Sequence, residues 1–386
     1  MTKKERIIIG ITGSSHLTVH ALMLVLPSLL LVFQKEFQVG LSTMGLVVNT
    51  GLFMFGLGAI PAGYLESRVG GRRLLLIYQL GTAGAALLIA LSSSLLVLTV
   101  GVAFLGLLSS IYHPAGLTII SRRVKNISPA LAYHGIAGTL GLAIGPTAAA
   151  LFSDLISWRA AYGIFATVNL GLAVLTLLLI PPFNRQTNED DPHLQIDTTN
   201  KPALFLYYLI MILLGLAFAG FTTYMPALFT LQTRLSLPFL SDTMRGGMVT
   251  TLVFISGIIG QLIGGYLGSR YRRSHLLMWI LILNIPLLIA LGFTTEYLLL
   301  LFSFILGMVH FSVQPVGNAL IAQFTRSQDR GLGYGISFFL SFGVGSFAAG
   351  LGGYIAENYG VANIFPVMAL ILLPAVGLAY LLHRKT

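Results

Sequence analysis

The chain has no cysteine, only two tryptophans, and little charge: Asp, Glu, Lys and Arg make up 9% of its 386 residues. Without cysteine, disulfides and thiolate metal ligation are excluded. A soluble domain carries roughly 25% charged residues, so this chain cannot cover a globular surface and is expected to sit in a membrane. Acids are the scarcer sign. All twelve, from Glu5 and Glu36 to Asp329 and Glu357, fall at the ends of apolar runs or between them. No lysine or arginine falls in the middle of a run. Charge at depth in lipid is costly, so this placement argues against a fixed-charge site for a strongly charged substrate. It also leaves no carboxylate to carry a proton at the midplane. A nucleophile elbow, a phosphate-binding loop, a metal-ligand motif and an appended soluble domain are all missing, which argues against a membrane enzyme or a receptor.

What is present is apolar: 56% of the residues are hydrophobic. A span needs about 20 apolar residues, and twelve segments qualify, at 7–33, 42–65, 74–92, 95–121, 129–153, 160–181, 203–231, 246–269, 275–293, 297–323, 331–355 and 361–382. Between spans three and four only Ser92, Ser93 and Ser94 interrupt the run. The first segment is long enough to span and has no small-residue cleavage site, so it is expected to be a helix and not a removed signal. The net charge of +10 comes from short basic clusters between runs. With the N-terminus inside, inner segments hold 18 of the 22 Lys and Arg, and the outer loops hold Lys35, Arg159, Arg234 and Arg245. That asymmetry is the positive-inside pattern and not a nucleic-acid-binding stripe. It places both termini in the cytoplasm.

The chain repeats itself at an offset near 200. Gly63 to Arg73, GYLESRVGGRR, returns at Gly265 to Arg273 as GYLGSRYRR. His113-Pro114-Ala115-Gly116 matches Gln314-Pro315-Val316-Gly317. His134-Gly135-Ile136 with Gly145 matches Tyr334-Gly335-Ile336 with Gly345. Such repeats mark transporter folds. The expected division is a six-helix bundle at 1–181, a cytoplasmic linker at 182–202 and a second bundle at 203–386.

Twelve spans, the 6+6 repeat and the basic loop after span two resemble the major facilitator superfamily. Of the family's loop pattern G-x-L-a-D-R-x-G-R-R, the chain keeps Gly63, Leu65, Arg68, Gly70 and Arg72-Arg73. Ser67 stands in the Asp place, Glu66 precedes it, and Gly71 adds a residue. The resemblance implies an all-α integral membrane protein, with Arg68, Glu66, Arg72 and Arg270 at a cytoplasmic gate. In span five, Gly138, Gly141, Gly145 and Pro146, with Ala149-Ala150, are similar to the antiporter motif of the drug-efflux branch; generic helix packing by small residues is the other reading. Ser15-His16-Leu17, Leu26-Pro27, Phe33 to Phe37 and Ser109 to Pro114 resemble the fosmidomycin-resistance type of exporter, with Val19-His20 where that family has Asn-Asp.

Five histidines lie within spans: His16, His20, His113, His134 and His310. His16 and His20 are four apart and share a helix face. Imidazole titrates near neutral pH, so these five are the candidates for proton coupling, His20 and His113 first. Neutral interhelical hydrogen bonding and a transition-metal path are the competing readings; no structural metal or cofactor is expected. Neutral polar candidates for substrate are Tyr112, Gln314, Asn49, Tyr133, Tyr224, Asn318 and, less specifically, Gln79. Phe53, Phe55, Phe338, Phe339 and Phe342 can line an amphipathic cavity.

The reading is a monomeric secondary transporter of a bacterial or archaeal cytoplasmic membrane. It works by alternating access, with a small molecule, protons and the bilayer as partners. As the resemblance implies, it exports a small amphipathic or weakly polar compound in exchange for protons. A metabolite importer, or an exporter of a metal or metal chelate, is the alternative.

Overall fold

The computed structural model describes residues 1–182, 198–233, 240–326 and 329–386, except for the side chains at 67, 127 and 128. Most of the expected linker, with Arg185, His193 and four acids, lies outside the described residues, as does Arg234. The described chain is helical, with twelve helices long and apolar enough to cross a membrane. They are span 1 (Lys3–Ser28), span 2 (Leu41–Glu66), span 3 (Gly71–Ala90), span 4 (Leu95–Arg123), span 5 (Pro129–Leu155) and span 6 (Trp158–Leu179). The second six are span 7 (Lys201–Gln232), span 8 (Asp242–Arg270), span 9 (Arg273–Phe293), span 10 (Glu296–Phe324), span 11 (Arg330–Tyr359) and span 12 (Val361–Lys385). In lipid every backbone polar group must be satisfied within the segment, so long apolar runs become helices. Twelve crossings bring both chain ends to one side, called here the terminal end; the other is the far end.

Local chemistry sets the boundaries. Thr2 and Glu5 form a reciprocal capping box at the start of span 1. Ser94, last of the three serines, caps span 4 by accepting from the Val97 N–H, which separates spans 3 and 4. Span 1 ends at Ser28, just after Pro27, and a short helix, Leu30–Phe37, continues to the far end. The expected single segment 7–33 is therefore two helices joined at Leu29. Spans 4 and 10 each break, at Ser110–Ile111 and at Ser312. Pro114 and Pro315 follow those breaks; each lacks the N–H that would bond four residues back. Span 11 carries a π-helical turn, Phe339–Val344.

Packing follows the repeat. Span 1 lies on span 5, span 2 on span 4 and span 3 on span 6. In the second six, span 7 lies on span 11, span 8 on span 10 and span 9 on span 12. Two seams join the halves, span 2 on span 11 and span 5 on span 8, and these also exchange under the repeat. Leucines such as Leu178, Leu262 and Leu370 project outward from the bundle, as a lipid-facing surface requires.

Candidate functional site

Glycine lets span 1 sink into span 5. A Cβ on Gly141 would collide with the Leu17 backbone, and one on Gly145 would come within 2.9 Å of the Ala21 Cα. At Gly138 a Cβ would strike the ring of His16, so this glycine makes the space that ring fills. Pro146 faces the second half: its carbonyl lies against Gly247 of span 8.

The close approach brings four of the five histidines together. The His16 ring stacks on that of His134, centroids 4.2 Å apart, and contacts His20 at 4.9 Å and His113 at 5.1 Å. His16 Nδ1–H donates to the His134 carbonyl at 2.7 Å. A carbonyl only accepts, so this bond leaves His16 Nε2 with its lone pair, 3.1 Å from His20 Nε2. Tyr112 donates its hydroxyl proton to the Thr12 carbonyl, and its oxygen lies 3.3 Å from His134 Nδ1. The ring nitrogens His113 Nε2 and His134 Nε2 are buried without a hydrogen-bond partner among the described residues.

Behind the cluster the polar groups of span 1 are tied down. Thr18 donates to Asn169 Oδ1 at 3.0 Å, Tyr78 to the Ser15 carbonyl at 2.9 Å, and Gln79 to Ser15 Oγ at 3.0 Å. Gln79 is thus committed within the first six spans. His310 stands apart in the second six: its Nδ1 pairs with Asn284 Oδ1 at 2.9 Å, and its ring stacks on Phe218.

Aromatic rings bridge the two histidine regions. Phe338 lies 5.0 Å from His113, and Phe342 touches Phe55, Phe338 and Phe218. The π turn of span 11 begins just after Phe338 and includes Phe342. Such turns are rare and recur at functional sites.

Of the expected substrate residues, Gln314 and Asn318 are exposed and lie one turn apart on span 10. Gln314 accepts from Gln261 at 2.9 Å, and Gln261 accepts in turn from Thr139 at 3.3 Å, a polar relay across the halves. Asn49 is half-buried, its Oδ1 without a hydrogen-bond partner among the described residues. Tyr133 is 59% exposed. Tyr112 and Tyr224 differ from these: both are fully buried, and Tyr224 donates to the Ala349 carbonyl at 2.6 Å in the seam between spans 2 and 11. Their hydroxyls are spent on backbone, the more economical use of a buried donor.

The expected gate residues are held within their own halves. Arg68 donates to the Tyr64 hydroxyl and lies over its ring; Arg270 lies over Tyr266. Glu66 meets Arg122 at 3.5 Å, and Arg72 caps span 6 through the carbonyls of Ile180 and Leu177. Among the described residues, hydrogen bonds join the two halves at the far end. The Ser42 N–H, in the first turn of span 2, donates to Glu357 at 2.7 Å. Ser241, the N-cap of span 8, donates to Asp154. Helix N-termini attract carboxylates through their unpaired N–H groups. Between the far end and mid-depth, the Thr147 and Thr251 hydroxyls meet at 2.7 Å. Sequence reasoning missed Gln261, Thr139, Asn284, Asp154 and Glu357. Only the two acids left a signal, since each sits at the end of a span and the two are about one repeat apart.

Two helical halves meet along repeat-related seams, with polar and imidazole groups gathered at mid-depth, the architecture of a membrane transporter. The chain belongs to the Major Facilitator Superfamily, whose family model matches residues 11–248 and 235–386. That is a family of transporters and not of enzymes. Relatives include the multidrug resistance protein MdtG of Escherichia fergusonii, 27% identical over 96% of this chain and 92% of that protein. MdtG of Serratia proteamaculans is 28% identical over 83% and 79%. A bacterial homologue of the human lysosomal transporter Spinster, solved inward-facing and occupied, superposes with a TM-score of 0.80 at 14% identity, covering 100% of this chain and 98% of that one. The nucleoside transporter NupG superposes at 0.77 with 13% identity, covering 99% of each chain. These structures share the fold.

Proposed function

We propose that the protein exports small amphipathic or weakly polar compounds from the cytoplasm by alternating access, in exchange for protons. The observation that carries the export reading is the likeness of most of the chain to multidrug resistance proteins; the bonds between halves tell which end of this conformer is closed. Among the described residues these bonds lie at the far end and down to mid-depth, while Arg68 and Arg270 at the terminal end lie over tyrosines of their own helices. The bias of Lys and Arg toward the terminal end supports a cytoplasmic location for it. In that orientation the conformer is sealed outside and accepts cargo from within. The multidrug-resistance name of the relatives supports the same direction and substrate class.

In this proposal the bundles are 1–181 and 203–386, joined by a cytoplasmic linker, and the protein acts as a monomer in a bacterial or archaeal cytoplasmic membrane. Cargo lies between the halves against Asn49, Gln314, Asn318 and the Phe338–Phe342 rings. Arg68, Glu66, Arg72 and Arg270 exchange partners across the halves when the cytoplasmic end closes. Coupling requires only that proton and cargo favour opposite conformers, and the proton is assigned to no single ring.

Proteoliposomes with a pH-sensitive dye inside, screened against a drug panel, test this. Compound-dependent proton movement opposite to the compound is the expected result. Movement of both in one direction makes the protein an importer and overturns the proposal. Transport without proton movement removes the antiport.

A further inference from the structure

We propose that His16, His20 and His113 form a binding site for one transition-metal ion of the zinc class. Three observations carry it. His16 and His20 are one helical turn apart, and their Nε2 atoms stand 3.1 Å from each other. Nitrogens bound to a tetrahedral ion at about 2.0–2.1 Å lie roughly 3.3 Å apart, so this pair already spans one edge of such a site. His113 enters from span 4, and the candidate ligand nitrogens of all three residues lie within 4.8 Å of one another. Closing the widest gap takes a movement of about 1.5 Å, within reach of ring rotation at His20 and His113, which are only half-buried.

The second observation is the bond from His16 Nδ1 to the His134 carbonyl, 2.7 Å long. Metal-binding histidines give their other ring N–H to such an acceptor, which fixes tautomer and orientation. His134, stacked on His16, and Gly138, which makes room for it, are positioning residues. The third is His113 Nε2, buried with no partner among the described residues. Leaving a buried nitrogen unmatched is unfavourable, and an ion bound there removes that cost.

The donor set selects the ion. Three imidazoles suit Zn²⁺, Co²⁺, Ni²⁺ or Cu²⁺, whereas Mg²⁺ and Ca²⁺ need oxygen ligands. Three neutral ligands leave the ion its full charge and an open fourth position. That position favours an anionic donor: hydroxide, or a phenolate, carboxylate or hydroxamate oxygen on a transported compound. Metal binding is read on purified protein, so its outcome is separate from that of the export reading.

The test is titration of tag-free, full-length protein in detergent, with Zn²⁺ by calorimetry and with Co²⁺ by visible absorption. One equivalent is expected, with the intense Co²⁺ bands of tetrahedral coordination. His20→Gln and His113→Gln each weaken binding at least tenfold, and the double variant abolishes the bands. His275 and His383, whose rings stack 4.8 Å apart at the terminal end, are a second pair of neighbouring imidazoles among the described residues; changing both to Gln leaves the binding intact. Absence of binding to the unaltered protein overturns the proposal. So does binding that survives the double variant and vanishes with His275 and His383. If His113→Gln does not fold, His20→Gln alone decides, read the same way.

Discussion

Asp154 closes span 5 and reaches the start of span 8; Glu357 closes span 11 and reaches the start of span 2. At the far end the two halves thus use one device twice, an acid on the N-terminus of the facing helix. At mid-depth they part. The first half packs four imidazoles into a glycine-lined seam, whereas the second has Gln314 and Tyr334 at the repeat positions of His113 and His134. Its one buried histidine is held by Asn284. The far-end seal joins equivalent surfaces, so both halves meet the same packing requirement there. A binding site needs no such symmetry, and one half can hold the chemistry while the other supplies aromatic cover from Phe338 and Phe342.

The strongest way to break this comparison is at the glycines that both halves share. Gly145→Ala drives a methyl toward Ala21, and Gly345→Ala drives one within 2.5 Å of the Gly215 carbonyl carbon. Overpacking of this kind costs about 1–3 kcal/mol. Both variants should lower the melting temperature in detergent, Gly345→Ala more, because both methyls meet backbone and the approach at Gly345 is the closer, 2.5 Å against 2.9 Å. Equal, negligible shifts would mean the seams are looser than they look.

Next is the asymmetry itself. His113→Gln should reduce export at least tenfold, against less than threefold for His310→Gln, both measured in vesicles at matched protein levels. The reverse ranking would move the functional centre to the second half. A smaller effect is expected at the seal. Asp154→Asn and Glu357→Gln should each raise the far-end-open population a few-fold, seen as longer spin-label distances between spans 5 and 8 or spans 2 and 11. Additive opening in the double variant would show two independent latches; no change in either would remove them from gating. Smallest is Arg72→Gln, which uncaps span 6. It should cost about 1 kcal/mol of stability and slow export about twofold, since Arg72 also changes partners when the cytoplasmic end closes; a change in compound preference would instead tie Arg72 to the cargo site.

Much of this was legible in the chain. Apolar run lengths, the scarcity of mid-run charge and the offset near 200 were enough for twelve spans in two halves, because lipid forces each run into a helix. Gly138, Gly141 and Gly145 were readable as a packing stripe from their spacing. The partners were not. His16 and His20 share a face by arithmetic, but that His113 and His134 converge on them depends on how deeply span 1 sinks into span 5. That the hydroxyls of Tyr112 and Tyr224 lie on backbone carbonyls was equally invisible in the sequence. Gln261 and Asn284 are single polar residues with no pattern around them; the two far-end acids show only the repeat spacing, and for all four only the crossing of helices gives partners. Sequence by itself determined what lipid demands of each segment separately. Tertiary structure alone decided which faces meet, because in a medium as apolar as the side chains, helix contact is chosen by shape and by the few polar groups that must find one another.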